Sequence, residues 1–278
     1  MTRDDLIFDV GANNGDDSAY YLARGFHVLA VEADPVLATK LRQRFSAELS
    51  AGTFQLLNVG VARENSEAEF WICETHSEWN SFDKTIASRE GQPHHAVVIP
   101  CRPFASILEE FGVPHYLKID IEGNDRLCLE ALNPRNLPRF CSVEVAMPTL
   151  ETMTLLRRLG YQKFKLIEQS DFTELNWIPN ESSVVRAGLL HLVRPAGAIG
   201  SLAVRAVFRA FFRPTPSSPI EADGWTFPKG SSGPFGKDLP GPWRSMDEIA
   251  FSWLAYWLGY TPKKPGLGYW HDVHCERD

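Results

Sequence analysis

The stretch Leu6–Gly15, Leu-Ile-Phe-Asp-Val-Gly-Ala-Asn-Asn-Gly, restricts the possible folds more than any other part of the chain. A short run of apolar and branched side chains that leads straight into glycines reads as a buried strand ending in a turn. Gly11 and Gly15 let backbone pass close to a bound molecule, and the helix expected from about Asn14 offers unpaired N–H groups at its first turn. Asp16 and Asp17 stand at that positive helix end, so a phosphate there would meet two carboxylates. The turn suits a neutral or cationic ligand.

The dinucleotide fingerprint wants glycine at the first, third and sixth positions of such a turn, which here hold Gly11, Asn13 and Asp16. Only the first agrees. A second apolar run, Val28–Val31, ends in Glu32, where an acidic side chain can take the two hydroxyls of a ribose. A nucleoside without a pyrophosphate, held by a glycine turn beside acids, points to S-adenosylmethionine, whose ammonium and sulfonium groups are positive. A nicotinamide-dependent oxidoreductase is the competing enzyme class, and a non-catalytic nucleotide- or partner-binding protein the competing non-enzyme.

Phe-Asp-Val-Gly-Ala-Asn-Asn-Gly, Val-Glu-Ala-Asp-Pro and Leu-Lys-Ile-Asp-Ile-Glu-Gly occur in that order in the first half of the chain, and together they resemble the FkbM-type S-adenosylmethionine-dependent methyltransferases. Ser-Ser-Gly-Pro-Phe-Gly, read as a static surface turn or a flap over the acceptor, and Tyr-Trp-His-Asp-Val-His near the end also resemble some members. The resemblance implies an O-methyltransferase acting on a hydroxyl of a small-molecule acceptor such as a sugar, a polyketide or another secondary metabolite. It implies cofactor contacts from Asp9, Gly11, Asn13, Gly15, Glu32, Ala33, Asn58, Val59 and Asp120. Asp120 and Glu122, with Glu144 on the next strand, are the candidate catalytic carboxylates: one near the methyl could act as base, and burial beside another would raise its pKa usefully.

Strand and helix patterns alternate through the first 170 or so residues, which predicts an α/β fold, a doubly wound and mainly parallel sheet. Asp34 and Pro35 open a helix with Leu37, Leu41 and Phe45 on one face, and Tyr116–Ile121 reads as a central strand with Lys118, Asp120 and Glu122 to one side. Asn124 is the expected cap of the helix that follows. The family resemblance adds a seventh, antiparallel strand over Tyr269–Cys275. The expected division is a methyltransferase core over 1–175, an acceptor-side insertion over 176–265 and a last core strand within 266–278. Within the insertion, 199–213 carries arginines spaced by four and is the one candidate for contact with a membrane surface.

A net charge of −7, from 28 basic and 35 acidic residues, disfavours a broad nucleic-acid footprint. No segment has the length and apolarity of a membrane span or a signal sequence, and the five cysteines are scattered without metal-type pairs, so a reduced, cytoplasmic protein is expected. His271, Asp272 and His274 invite a metal, but in a strand His271 faces away from the other two, so no metal site is assigned.

Overall fold

The computed structural model describes residues 2–145, 149–169, 172, 174–175, 221–222, 224–228, 231–259 and 271–277. In chain order these form β1 (Thr2–Val10), α1 (Asp16–Ala23), β2 (His27–Val31), α2 (Pro35–Arg44), α3 (Ser46–Ala51), β3 (Phe54–Leu57), β4 (Gly60–Val61) and β5 (Ser66–Cys73). There follow α4 (Lys84–Ala87), β6 (His94–Arg102), α5 (Phe104–Phe111), β7 (Val113–Ile119), α6 (Asp125–Glu130), β8 (Phe140–Val145), α7 (Thr149–Leu159) and β9 (Lys163–Glu168). The C-terminal part contributes β10 (Glu221–Ala222), β11 (Trp225–Thr226), α8 (Met246–Gly259) and β12 (His271–Glu276).

Seven strands make one sheet in the order β3-β2-β1-β7-β8-β12-β9, parallel except for β12. The doubly wound sheet and its inserted antiparallel strand are those expected. Strand alternation sends successive side chains to opposite faces, and the two faces differ in chemistry. Phe8, Val10, Leu117, Ile119, Val143 and Val273 point to an apolar core covered by α5, α6, α7 and α8 through Ile107, Leu129, Leu156 and Trp253. Full burial of side chains this size contributes roughly 1.5–3 kcal/mol each. The opposite face is apolar at its amino end, where Ile7, Tyr116 and Phe140 meet Tyr20 and Tyr21 of α1. Toward the carboxyl end it is polar, with Asp9, Lys118, Ser142 and His274 side by side on consecutive strands and all buried.

Helix α2 starts as its sequence dictates: the Asp34 carboxylate accepts from Val36 N at 2.7 Å and Leu37 N at 3.4 Å, and Leu37, Leu41 and Phe45 are buried. Strand β6 pairs antiparallel with β5 and parallel with β4 in a separate three-stranded sheet. Around β7 one expectation needs correction and another holds in part. The strand stops at Ile119, and Glu122 has φ 47°, so alternation does not extend to it. Asn124 does occupy the N-cap position of α6, but its side chain donates to Val61 O at 3.1 Å and makes no capping hydrogen bond; the turn is fastened by Asp125, whose carboxylate accepts from Ile121 N and Gly123 N, each at 3.0 Å. The arginine-striped segment 199–213 lies outside the described residues. Among those described, no helix is long and apolar enough to cross a membrane, and the five cysteines are free and buried.

Candidate active site

Parallel strands end together, and their turns enclose a cavity of about 240 Å³ at the carboxyl ends of β1, β2 and β7. Its wall is made by Gly11–Asn14, Glu32 and Ala33, Val59–Val61, Asp120–Glu122 and Ser231. The first turn is closed by Gly11 N and Ala12 N donating to Val31 O at 2.9 and 3.2 Å. Gly11 has φ +87°, and a Cβ there would sit 1.7 Å from the Asp120 carbonyl oxygen. Gly15, φ +83°, faces Leu41 of α2 and Phe45 just past its end, with a Cβ placed 2.6 Å from each. Both glycines thus let the turn nest against its own chain, whereas the sequence suggested room for a ligand. Gly11 lines the cavity; Gly15 stands behind it.

Asp9 is wholly buried and outside the lining. Its Oδ2 accepts from Ser18 Oγ at 2.6 Å and its Oδ1 from Lys118 Nζ at 3.0 Å. The same ammonium donates to Gly11 O at 3.1 Å and stands 3.6 Å from Asp17 Oδ2. Burial opposes charge on Lys118, but Asp9, Asp17 and Asp120 outweigh it and hold its pKa well above the usual lysine range. Asp9 therefore acts on the glycine turn through Lys118. Asp17 has a further task that no local pattern announces. Its carboxylate accepts from the Ser231 hydroxyl, from Ser232 N at 3.1 Å and from Gly233 N at 3.3 Å, fixing a loop from far along the chain as part of the cavity wall. The Ser-Ser-Gly-Pro-Phe-Gly segment was expected to be a surface turn or a flap. Ser231 and Ser232 are instead buried, and Phe235 stacks on Tyr116 with centroids 4.2 Å apart.

Glu32 ties two turns together: Oε2 accepts from Asn13 N at 2.7 Å and Oε1 from Asp34 N at 2.8 Å. Burial raises its pKa to about 7 against those hydrogen bonds. A carboxylate offers about four acceptor positions, so each oxygen keeps capacity for a hydroxyl. Ala33 and Val59 line the cavity beside it, but Asn58 does not. The Asn58 amide instead donates to Glu32 O at 2.8 Å and Ala33 O at 3.2 Å, holding that strand end in place. The 77–82 loop closes this side: Ser77 Oγ donates to Asn13 Oδ1 at 2.9 Å and Asn80 Nδ2 to Asp34 Oδ2 at 3.0 Å.

Asp120 and Glu122 both line the cavity, and Glu144 lies behind Asp120, outside the lining but hydrogen-bonded to it. Burial raises Asp120 to about 6, with Lys118 pulling the other way. Burial raises Glu122 to about 8, opposed by Arg89, whose Nη2 stands 3.2 Å from Oε2. Glu144 is pushed well above the carboxylate range by burial and by the charges of Asp120 and Glu122. Two carboxyl groups can share a hydrogen bond only if one keeps a proton, so the pair can take a proton at one oxygen while holding another between them. Among the described residues no three His, Cys, Asp or Glu side chains gather as metal ligands would.

Comparison with known proteins gives the site a context. Solved structures that resemble the chain include a precorrin-6y C5,15-methyltransferase from Geobacter metallireducens (15% identity, 60% of this chain and 68% of that one, TM-score 0.35), and a TehB-like SAM-dependent methyltransferase from Corynebacterium glutamicum (11% identity, 59% and 70%, TM-score 0.34). Among curated proteins none matches. The sequence model of the methyltransferase FkbM domain matches residues 9–163, from the buried aspartate of β1 to the start of β9. That match spans more than half of the residues and contains the glycine turn, Glu32 and the Asp120–Glu122 corner, and the chain belongs to the FkbM methyltransferase family.

Proposed function

We propose that the protein transfers a methyl group from S-adenosylmethionine to a hydroxyl of a small molecule, a sugar, polyketide or other secondary metabolite. The observation that carries this reading is the cavity wall, where Glu32 at the end of β2 and Asp120 and Glu122 after β7 face one space. The group fits those residues. The spare acceptor positions of Glu32 suit two ribose hydroxyls, and Ala33, Leu37 and Val59 supply an apolar wall for an adenine. Asp16 and Asp17 at the first helical turn disfavour a pyrophosphate and suit a positively charged tail. When bound, S-adenosylmethionine supplies an electrophilic methyl on a positive sulfur, which departs as a neutral thioether.

The chain's own residues have three tasks: holding the acceptor oxygen in line, excluding water and taking the hydroxyl proton. Asp120 is the proposed base, with Glu144 as its hydrogen-bonded partner and Glu122 beside the acceptor. Asp9, Gly11, Asn13 and Gly15 shape the turn, while Asn58 orients Glu32 and Ala33. Residues 176–265 are proposed to be an acceptor-side insertion in the core formed by 1–175 and 266–278, with Pro228 and Ser231 already in the cavity wall. Calorimetry with S-adenosylhomocysteine tests the reading: binding in the micromolar range supports it, and folded protein that binds none refutes it. Glu32→Ala should weaken that binding by roughly 1–3 kcal/mol through loss of charge-assisted hydrogen bonds.

A further inference from the structure

The polar face of the sheet continues beyond Asp120. Asp120 is hydrogen-bonded to Glu144, Glu144 lies opposite Asp272 in the antiparallel pairing of β8 with β12, and His274 follows on the same face of β12. Asp272 and His274 are each 1% exposed. Asp272 Oδ1 accepts from Gln169 Nε2 at 2.6 Å, but Oδ2 has no hydrogen-bond partner among the described residues, and neither has either ring nitrogen of His274. Ser232 lies close enough to lower the Asp272 pKa without reaching it in hydrogen-bonding geometry. The two unsatisfied groups face each other, Asp272 Oδ2 and His274 Nε2 being 4.0 Å apart. Leaving a buried polar atom unpaired costs roughly 1–3 kcal/mol, so a fold that gathers several of them beside the cavity wall calls for an account.

We infer that the half-buried Asp120 and Glu144 and the buried Asp272 and His274 form one row that stores the proton released by the acceptor hydroxyl. The inference rests on the methyl-transfer reading above. As the acceptor oxygen forms its new bond to carbon, the carbon–sulfur bond breaks with its electron pair left on sulfur, and the O–H proton passes to Asp120. The proton that Asp120 and Glu144 already share moves on to Glu144, and Glu144 yields a proton to Asp272, so the row gains one proton while the sulfur loses its positive charge. His274 Nε2 is the acceptor at the far end, within a small movement of Asp272 Oδ2. Burial raises Asp272 to about 7, and burial lowers His274 to about 3, so the extra proton rests on the carboxyl groups. The charged groups around the row are Lys118, Asp9 and Asp17 at its Asp120 end, Asp125 and the Glu122–Arg89 pair at the cavity, and Lys165 beside His274.

The sulfonium is the only charge by which S-adenosylmethionine differs from S-adenosylhomocysteine, so comparing the two cancels the ribose contacts to Glu32. Proton release on binding is measured calorimetrically near pH 7 in buffers of different ionisation heat. S-adenosylmethionine should expel about one proton more than S-adenosylhomocysteine, because a positive charge beside Asp120 lowers the pKa values of the row. That difference should fall by at least about half in Glu144→Gln and Asp272→Asn, which keep the shape and the Gln169 contact but remove a titrating site. Equal counts for the two ligands, or a difference untouched in both variants, overturns the inference. If neither ligand binds, the methyltransferase reading fails instead, and the row is judged alone. Infrared spectra of the ligand-free protein above about pH 6 should then show a protonated-carboxyl band that titrates through about pH 7, where Asp272 is poised, and its absence overturns the row even if the variants fail to fold.

Discussion

At Gly11 the space a side chain would need is already filled by a backbone carbonyl, and the positive φ excludes other residues independently. Gly11→Ala should therefore lower stability by more than about 3 kcal/mol, beyond the usual range for a single substitution, as read from denaturant midpoints. Glu32 and Asp272, each raised to about 7, keep a proton in the folded chain at pH values where the unfolded chain has lost it. Between about pH 4 and 7 these two groups hold more protons in the native state than in the unfolded one, so their contribution to stability falls as pH rises, by up to about 1.4 kcal/mol per pH unit for each group. Urea melts of ligand-free protein at pH 5 and 7 check this: wild type should lose stability over the interval and Asp272→Asn should lose less. An equal change in wild type and Asp272→Asn would contradict the burial argument, since the buried His271 and His274, lowered to about 3, act on both alike and push stability upward with pH below about 6.5. These residues were legible in unequal measure. Glu32 and Asp120 stand out because each ends an apolar run, a signal carried by their immediate neighbours. Asp9 looked like a ligand contact by the same signal, yet both its oxygens serve Ser18 and Lys118.

Among the elements, α1 carries the connection that local patterns do not reveal. Asp17 reads in sequence as a first-turn acid, favourable to the helix dipole, and it also fastens the 231–233 loop through three donors. Nothing in periodicity joins residues so far apart, which is why the Ser-Ser-Gly segment looked like a surface turn. Asp17→Ala should release that loop, and hydrogen exchange reads the effect directly. The Ser232 and Gly233 amides, which donate to Asp17, should exchange at least about tenfold faster, equivalent to about 1.4 kcal/mol of local opening. Unchanged protection there would mean that other contacts hold the loop. The end of β7 is the complementary case. Alternation placed Lys118 correctly, but strand geometry had ended before Glu122, because Asp125 gathers the backbone N–H groups of Ile121 and Gly123 into a turn.

Across the whole molecule, the C-terminal part completes a core begun at the first strand. Phe235 stacks on Tyr116 and meets Tyr21, Phe26, His115 and Phe140 edge-on, so one ring joins α1, β7 and β8 to a distant segment. Phe235→Ala should lower global stability by about 3–5 kcal/mol, with a matching fall in the denaturant midpoint. A loss below about 1 kcal/mol would mean that the segment packs only superficially. The alternating first half made the parallel sheet readable, since each strand and helix announces itself over a few residues. What could not be read locally is how residues after Glu221 divide their contacts: α8 joins the apolar core through Ile249 and Trp253, while on the opposite face Phe235 packs on the apolar end and Ser231 fastens to Asp17 beside the polar one.

Strand β12 lies between β8 and β9, though residues 169–270 separate it in sequence from β9. A ribosome must therefore translate past Glu276 before β9 gains its neighbour. Until then β8 and β9 each lack the strand that pairs with both, and the carboxyl groups behind Asp120 lack their last member.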